Sequence, residues 1–460
     1  MSDEIGKRVR KNTGLMLGAK IIGGVMALFG LVFAARGLTT EQFGILIFLH
    51  AYILFFTGVA TFDSWLIVVR RAAGGLTGDD ALRGDPRQFG RIFRFCVSLD
   101  LLSASAGFIV AIAIAFLFGR SLEILEGASP YILFYTFLVF LNQKSASVGV
   151  LRLFDRYDLI ALNSITIPFV RMAGCGIAWL SDAPFLVYIL VWFAGSAISY
   201  LTLPVLAVIE MRKHNLWSSA IDGRISLKAP ETKLWRFVLY TNIDTGLAAG
   251  ATLLPVILAG AIGGPVFAAT FRVAQEVATV LAKGTKMVER IVYPEFTSLI
   301  AKGAGSRVPV LVLQTGGAML ILGSVIGLIV WLTGPYLLSL AFGPAYADAT
   351  GLAVLLIMGA SVTAAAGPLF PAFYAAGKPK KVIFARALGL AVMIISFFIL
   401  YHLMGGIGTG FAVLLGAIIS LIVVAYIAKN HDWSKTKEQA ITPEHQIQQT
   451  LHSSEEKRKP

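Results

Sequence analysis

The chain has 460 residues, 57% of them hydrophobic and only 14% charged, against roughly a quarter charged in soluble proteins. Mean hydropathy is +0.77 and long apolar runs recur from end to end, which excludes a soluble globular domain and implies an integral membrane protein. A formal net charge of +13 fits that reading better than it fits nucleic-acid binding, because Lys and Arg accumulate in the cytoplasmic loops of membrane proteins.

A spanning helix needs about 20 apolar residues, and twelve segments qualify. The first six run Thr13 to Ala35, Phe43 to Val69, Ile92 to Phe118, Tyr131 to Leu151, Leu159 to Leu180 and Phe185 to Ile209. The second six run Trp235 to Leu258, Val266 to about Met287, Val308 to Leu332, Ala349 to Ala372, Val382 to His402 and Ile407 to Ala428. The charged start SDEIGKRVRKN precedes an apolar stretch without a small-residue cleavage site, so the first segment reads as a retained span. The tail after His431 is polar and without apolar period, and reads as disordered.

Loop charge sets the orientation. With a cytoplasmic N-terminus, only Arg36 and Arg120 of the 39 Lys and Arg fall on the outside, and Lys20, Lys144, Arg171 and Arg272 fall within spans. All the others lie inside, which places both termini in the cytoplasm. The longest internal polar stretch, Arg212 to Lys233, separates six spans from six. The expected organisation is an N-terminal lobe 1–210, a cytoplasmic linker 211–234, a C-terminal lobe 235–430 and a tail 431–460. Sliding the first half by 224 residues puts ARGLTTEQFG (Ala35 to Gly44) on AGAIGGPVFA (Ala259 to Ala268). An even helix count per half makes the repeat parallel, with a pseudo-two-fold axis along the membrane normal. The expected fold is thus an all-α polytopic membrane protein of twelve transmembrane helices in two six-helix lobes.

Enzyme signatures are absent. There is no GxxxxGK[ST] phosphate loop, no HExxH, no DxD and no Cys/His cluster. Cys96 and Cys175 both fall in apolar runs. No catalytic residue, metal site or cofactor is expected, and the short outside loops leave no room for an extracytoplasmic catalytic domain.

What stands out is charge inside spans. Lys20, Asp63, Asp100, Lys144, Arg171, Asp244, Arg272 and Glu276 each cost roughly 2.5–3.5 kcal/mol at mid-bilayer on insertion scales. Lys20, Asp63 and Asp100 lie near the cytoplasmic end, where snorkelling accounts for them. Lys144 sits two turns in, whereas Arg171 and Asp244 lie deeper. TFRVAQEVATVLAKGTKMVERIVYPEF (Thr270 to Phe296) continues the theme, since Arg272, Glu276, Thr279, Lys283, Lys286 and Arg290 recur at steps of four and three. Arg272 falls about 10 Å from the outside end of its helix at 1.5 Å per residue. An Arg/Glu pair at i, i+4 can neutralise itself as interhelical glue. The continuing basic row argues instead for a wet, net-positive wall suited to an anion, and Arg grips phosphate oxygens with a two-donor fork.

Six stretches in order carry a resemblance: ARGLTTEQFG, VLRLFDRYDLI, FRVAQ, VYPEF, FGPAY and AAGKPKK. Together they resemble the Wzx-type flippases, the polysaccharide-transport branch of the multidrug/oligosaccharidyl-lipid/polysaccharide exporter superfamily. That resemblance implies two lobes around a cavity opening alternately to each side. It also implies a polyprenyl-pyrophosphate-linked oligosaccharide as cargo, such as an O-antigen or exopolysaccharide unit. Arg272 matches the position where related lipid II flippases place a cavity arginine; Lys20 resembles a first-helix cationic position, with Lys in place of Arg.

The expectation is therefore a bacterial inner-membrane flippase driven by a proton or sodium gradient. Arg272, Arg171, Lys144 and Lys20 would bind substrate, and Glu276, Asp244 and Asp63 would couple ions or balance charge. Lys283, Lys286 and Arg290 would form a cytoplasmic-side basic stripe. Expected partners are the lipid-linked oligosaccharide, membrane lipids and a polysaccharide polymerase with its export machinery, and no nucleic acid. The alternatives are a cation antiporter of the multidrug and toxin extrusion type, which should carry a carboxylate-rich cavity, a membrane glycan polymerase or ligase, and a scaffold subunit of an export complex.

Overall fold

A computed structural model describes residues 2–71, 85–118, 123–223, 227, 234–301, 308–375 and 378–430, with side chains described for most of these and residues 280–310 the longest exception. Every regular element among the described residues is helical. In chain order these are α1 Ser2–Gly37, α2 Thr40–Ala60, α3 Ser64–Arg71, α4 Pro86–Phe118, α5 Glu123–Leu141, α6 Ser145–Leu153, α7 Tyr157–Leu180 and α8 Phe185–Lys213. The second half holds α9 Trp217–Ile221, α10 Leu234–Ala301, α11 Val308–Phe342, α12 Thr350–Ala366, α13 Leu369–Ala375, α14 Pro379–Met404 and α15 Gly406–Lys429. Ten helices among the described residues are long and apolar enough to cross a membrane.

Among the described residues, several of the expected twelve spans differ in outline from separate single helices of spanning length. The expected fourth span is not one helix, because it breaks at Asn142–Lys144 into α5 and α6. The expected seventh and eighth spans run together as α10, bent at Gly264, whose φ of 72° and ψ of −174° interrupt the helix. The second span is also broken, into α2 and α3 at Thr61–Asp63, and the tenth into α12 and α13. The tail 431–460 lies outside the described residues, as do the side chains of Lys283, Lys286 and Arg290.

The chain packs as two compact units. One comprises Met1–Val273 with Tyr336–Asp348, the other Ala274–Pro335 with Ala349–Pro460. In the first, α1 lies along α7 and α7 along α8, while α2 packs with α4 and α5. In the second, α15 packs against both α12 and α14, over a core that includes Phe370, Phe373, Val382 and Val424. Large apolar side chains such as Phe116, Leu180 and Leu313 stay exposed, as helix faces turned to lipid require.

Hydrocarbon offers backbone groups no water, so a helix broken within a span needs partners for its freed N–H and C=O groups. The first unit supplies them. Asp100 of α4 accepts the Ala146 N–H at 2.9 Å and the Ser64 hydroxyl at 2.8 Å, so one carboxylate serves the starts of both α3 and α6. Ser145 at the start of α6 accepts the Trp65 N–H of α3 at 3.3 Å. Asn142 donates to the Thr61 hydroxyl at 3.0 Å. From α10, Asn242 donates to the carbonyls of Val59 and Thr61 at 2.9 and 3.2 Å. The half-helices α3 and α6 cross closely, since a Cβ on Gly149 would meet Val68 Cβ at 2.7 Å and Trp65 Cα at 3.0 Å. Snorkelling does not account for Asp100, which is buried at 5% exposure, caps α6 and holds the Ser64 side chain at the start of α3. Nor does it account for Asp63, which accepts Trp65 Nε1 at 3.1 Å and the Thr245 hydroxyl at 2.9 Å.

Candidate functional site

The deep cation of α7 organises a cluster in the first unit. Arg171 stands about 21 Å from the start of α7 and about 14 Å from its end at 1.5 Å per residue. Its Nη2 donates to Ser196 Oγ at 3.0 Å, its Nη1 faces His50 Nε2 at 3.1 Å, and its guanidinium lies 4.3 Å over the Trp192 ring. The third edge of the fork, Nε, is buried without a hydrogen-bond partner. No carboxylate among the described residues pairs with this guanidinium, and the charged groups acting on it include a second cation, Arg272.

His50 of α2 continues the chain of contacts, with its Nδ1 3.2 Å from the hydroxyl of Tyr135 on α5. Its ring meets Trp192 edge-on, centroids 5.0 Å apart. Four separate helices, α2, α5, α7 and α8, thus bring polar groups to one place in an apolar body.

Lys144 stands at the second station. It occupies the break between α5 and α6, where its Nζ lies 4.3 Å over the Tyr200 ring, and no acid pairs with it among the described residues. The two stations share α8: Trp192, Ser196 and Tyr200 are four apart and form one stripe. From Trp192 to Tyr200 the helix rises about 12 Å, too far for one phosphate to touch both cations. Between them Asn163 of α7 donates to Ser199 Oγ at 3.0 Å, and its Oδ1 is buried without a partner.

The other expected residues fall elsewhere. Lys20 is exposed on α1, Asp244 and Arg272 are half-buried on α10, and Glu276 is buried one turn beyond Arg272. Asp63 belongs to the helix-break network, held by donors on both oxygens. The sequence reading missed His50, Tyr135, Trp192, Ser196 and Tyr200. A signal for three of them was present in WFAGSAISY (Trp192 to Tyr200), where polar and aromatic residues recur every fourth position in an otherwise apolar helix. His50 carried no such signal, since its partners come from three other helices.

No family model matches the chain. It is 26% identical over 352 residues to the inner membrane protein YghQ of Escherichia coli strain K12, covering 76% of this chain and 97% of that one. It also superposes on an inward-facing multidrug resistance MATE family transporter of the MOP superfamily with a TM-score of 0.66 at 15% identity, covering 89% of this chain and 96% of that one. For the lipid II flippase MurJ in an inward closed conformation the TM-score is 0.60 at 13% identity, with 93% and 90% covered. The fold is the MATE-like transporter fold. The chain is a multi-pass inner-membrane protein.

Proposed function

We propose that this chain is a flippase that carries a polyprenyl-pyrophosphate-linked oligosaccharide across the inner membrane by alternating access, energised by an ion gradient. The observation that carries the reading is a pair of cations packed against the α8 stripe, Arg171 and Lys144, each set against an aromatic ring and with no paired carboxylate among the described residues. A cation within a span and without a counter-ion is costly, and an anionic cargo would offset that cost when bound. Arg171 carries a two-donor fork that fits a phosphate. Arg272 extends the positive field, while Glu276, Asp244 and the exposed Lys20 remain proposals as coupling or binding groups. The twelve-span count, the two six-helix lobes and the cytoplasmic termini belong to the same proposal.

The multidrug-type antiporter remains the second reading, favoured by the higher TM-score of the MATE structure. Against it, Asp63 and Asp100 are both engaged by donors, which leaves them poorly placed to receive an organic cation. The deciding experiment follows lipid-linked glycan in a deletion strain. Accumulation on the cytoplasmic leaflet, reversed by the wild-type chain and not by Arg171→Ala at equal abundance, is the expected result. Proteoliposomes that move a quaternary ammonium compound but no lipid-linked glycan would overturn it.

A further inference from the structure

The Arg171–His50 contact fixes a protonation state. A guanidinium can only donate, so His50 Nε2, 3.1 Å from Arg171 Nη1, must be the accepting nitrogen. The ring proton therefore sits on Nδ1, which donates to Tyr135 at 3.2 Å, and the imidazole is neutral. A second ring proton would stand on Nε2, donor against donor, beside a fixed positive charge. Protonation of His50 and its contact with Arg171 exclude each other.

The surroundings offer that second proton no other support. Arg171 faces His50 from α7, Tyr135 from α5, and Arg272 of α10 acts at longer range; no carboxylate is among the charged groups acting on it. From α8 the Trp192 ring meets it edge-on, and Ser196 is engaged by Arg171. Asp100, the acid of neighbouring α4, is committed to Ser64 and Ala146. An oxyanion seated on Arg171 changes the balance, because it can accept from the guanidinium and from a protonated Nε2–H together.

We propose that His50 and Arg171 form a proton-linked oxyanion site, in which a phosphate-type anion binds together with one proton taken up on His50 Nε2. The inference rests on the anionic-cargo reading above and adds to it a stoichiometry and a residue. Linkage makes the effect reciprocal: the anion raises His50's proton affinity, and protons raise anion affinity by the same factor. A pyrophosphate diester carrying two negative charges would then cross with one of them compensated. Its outward movement would respond to the membrane potential.

The test uses the full-length chain in detergent and a short symmetrical dialkyl ester of pyrophosphate, an anion that does not itself titrate near neutrality. Calorimetry at about pH 6 and about pH 8, the range across which a histidine titrates, in two buffers of different ionisation heat, reads affinity and proton uptake together. Binding roughly fivefold or more tighter at the lower pH, with a proton taken up per anion, is expected. In His50→Gln, which keeps an acceptor toward Arg171, the affinity at about pH 6 should fall to that at about pH 8 and the proton uptake should vanish. Wild-type binding that is flat with pH, or a folded His50→Gln variant with an unchanged pH slope, overturns the proton link and leaves the anion reading standing. A wild-type chain that binds no anion at either pH overturns both.

Discussion

Asp100 accepts the Ala146 N–H at 2.9 Å while its other oxygen holds the Ser64 hydroxyl at 2.8 Å. One buried side chain therefore joins two half-helices that the chain reaches 36 and 46 residues away. Without it the Ala146 N–H and the Ser64 hydroxyl would each be orphaned in hydrocarbon, at a cost of about 1–3 kcal/mol per buried group. Asp100→Ala should destabilise the folded protein by about 2–4 kcal/mol, combining a lost cap with a stranded donor. Asp100→Asn, which keeps one acceptor, should lose about half as much. Thermal unfolding in detergent, followed by tryptophan fluorescence, reads both. An Asp100→Ala protein as stable as wild type would remove the bracing role.

That network marks the limit of what could be read from the sequence. Helix type and the approximate position of most spans were legible because apolar runs of spanning length admit few alternatives. The breaks were not, because TFDS and NQKS (Thr61 to Ser64 and Asn142 to Ser145) each put a helix-start residue inside an otherwise apolar run. Counting hydropathy over a whole span averages such a tetrad away. Arg171 and Lys144 stood out as charges in the wrong solvent, and both pack against the α8 stripe. Their partners did not stand out: a neutral His, a Tyr and a Ser are unremarkable until four helices bring them together.

Forked and point cations should separate the two stations. Arg171 uses both terminal nitrogens and stacks on Trp192, a geometry an ammonium cannot reproduce. Glycan export by Arg171→Lys should fall at least about tenfold, equivalent to about 1.4 kcal/mol. Lys144→Arg should retain most activity, because a Lys over a ring acts as a point charge that Arg can replace. Export assays at matched protein abundance decide it, and equal tolerance of both substitutions would reject the distinction.

Glu210 ties the far ends of α7 and α8. It is 3% exposed and receives Arg156, Lys213 at 2.9 Å and, more distantly, His214 at 3.9 Å. Arg156 also grips Asp158 at 2.9 Å, and this hydrogen bond is the largest cause of its raised pKa. Lys213 is largely exposed, so the pair with Arg156 dominates. Glu210→Ala should cost about 1.5–3 kcal/mol, the range for hydrogen bonds to charged groups, and Glu210→Gln less. Denaturant titrations in detergent that superimpose for Glu210→Ala and wild type would show that the cluster adds nothing.

Orientation can be read directly. The proposed orientation puts the loop near Gly223, beside Arg212 and Lys213, in the cytoplasm, and the turn at Gly343, where φ is 114°, on the opposite side. Activity reporters fused at Gly223 should read inside and those at Gly343 outside. Reversal at either position would refute cytoplasmic termini and the depth assigned to Arg272.

The last prediction concerns the two hairpins that the sequence repeat aligned, ARGLTTEQFG and AGAIGGPVFA. They meet: a Cβ on Gly44 would stand 1.8 Å from the Pro265 carbonyl oxygen and 2.4 Å from its carbon, so only a glycine lets α2 approach α10 there. The first hairpin is locally rigid, because Thr39 and Gln42 form a reciprocal capping box. It is tied further by Arg36, which donates to the carbonyls of Leu340 and Ala341, and by Phe43, whose ring meets Tyr346 edge-on. Backbone cannot yield as a flexible side chain can, so Gly44→Ala must part α2 from Pro265. If the proposed alternating access opens and closes this contact, a methyl group there should bias it open. Ala268, fully buried one turn beyond Pro265, offers a nearly isosteric reporter as Ala268→Cys. A membrane-impermeant thiol reagent added from outside should label that cysteine several-fold faster in the Gly44→Ala background. Equal labelling rates in the two backgrounds, with both proteins folded, would mean that the Gly44–Pro265 contact does not govern access from that side.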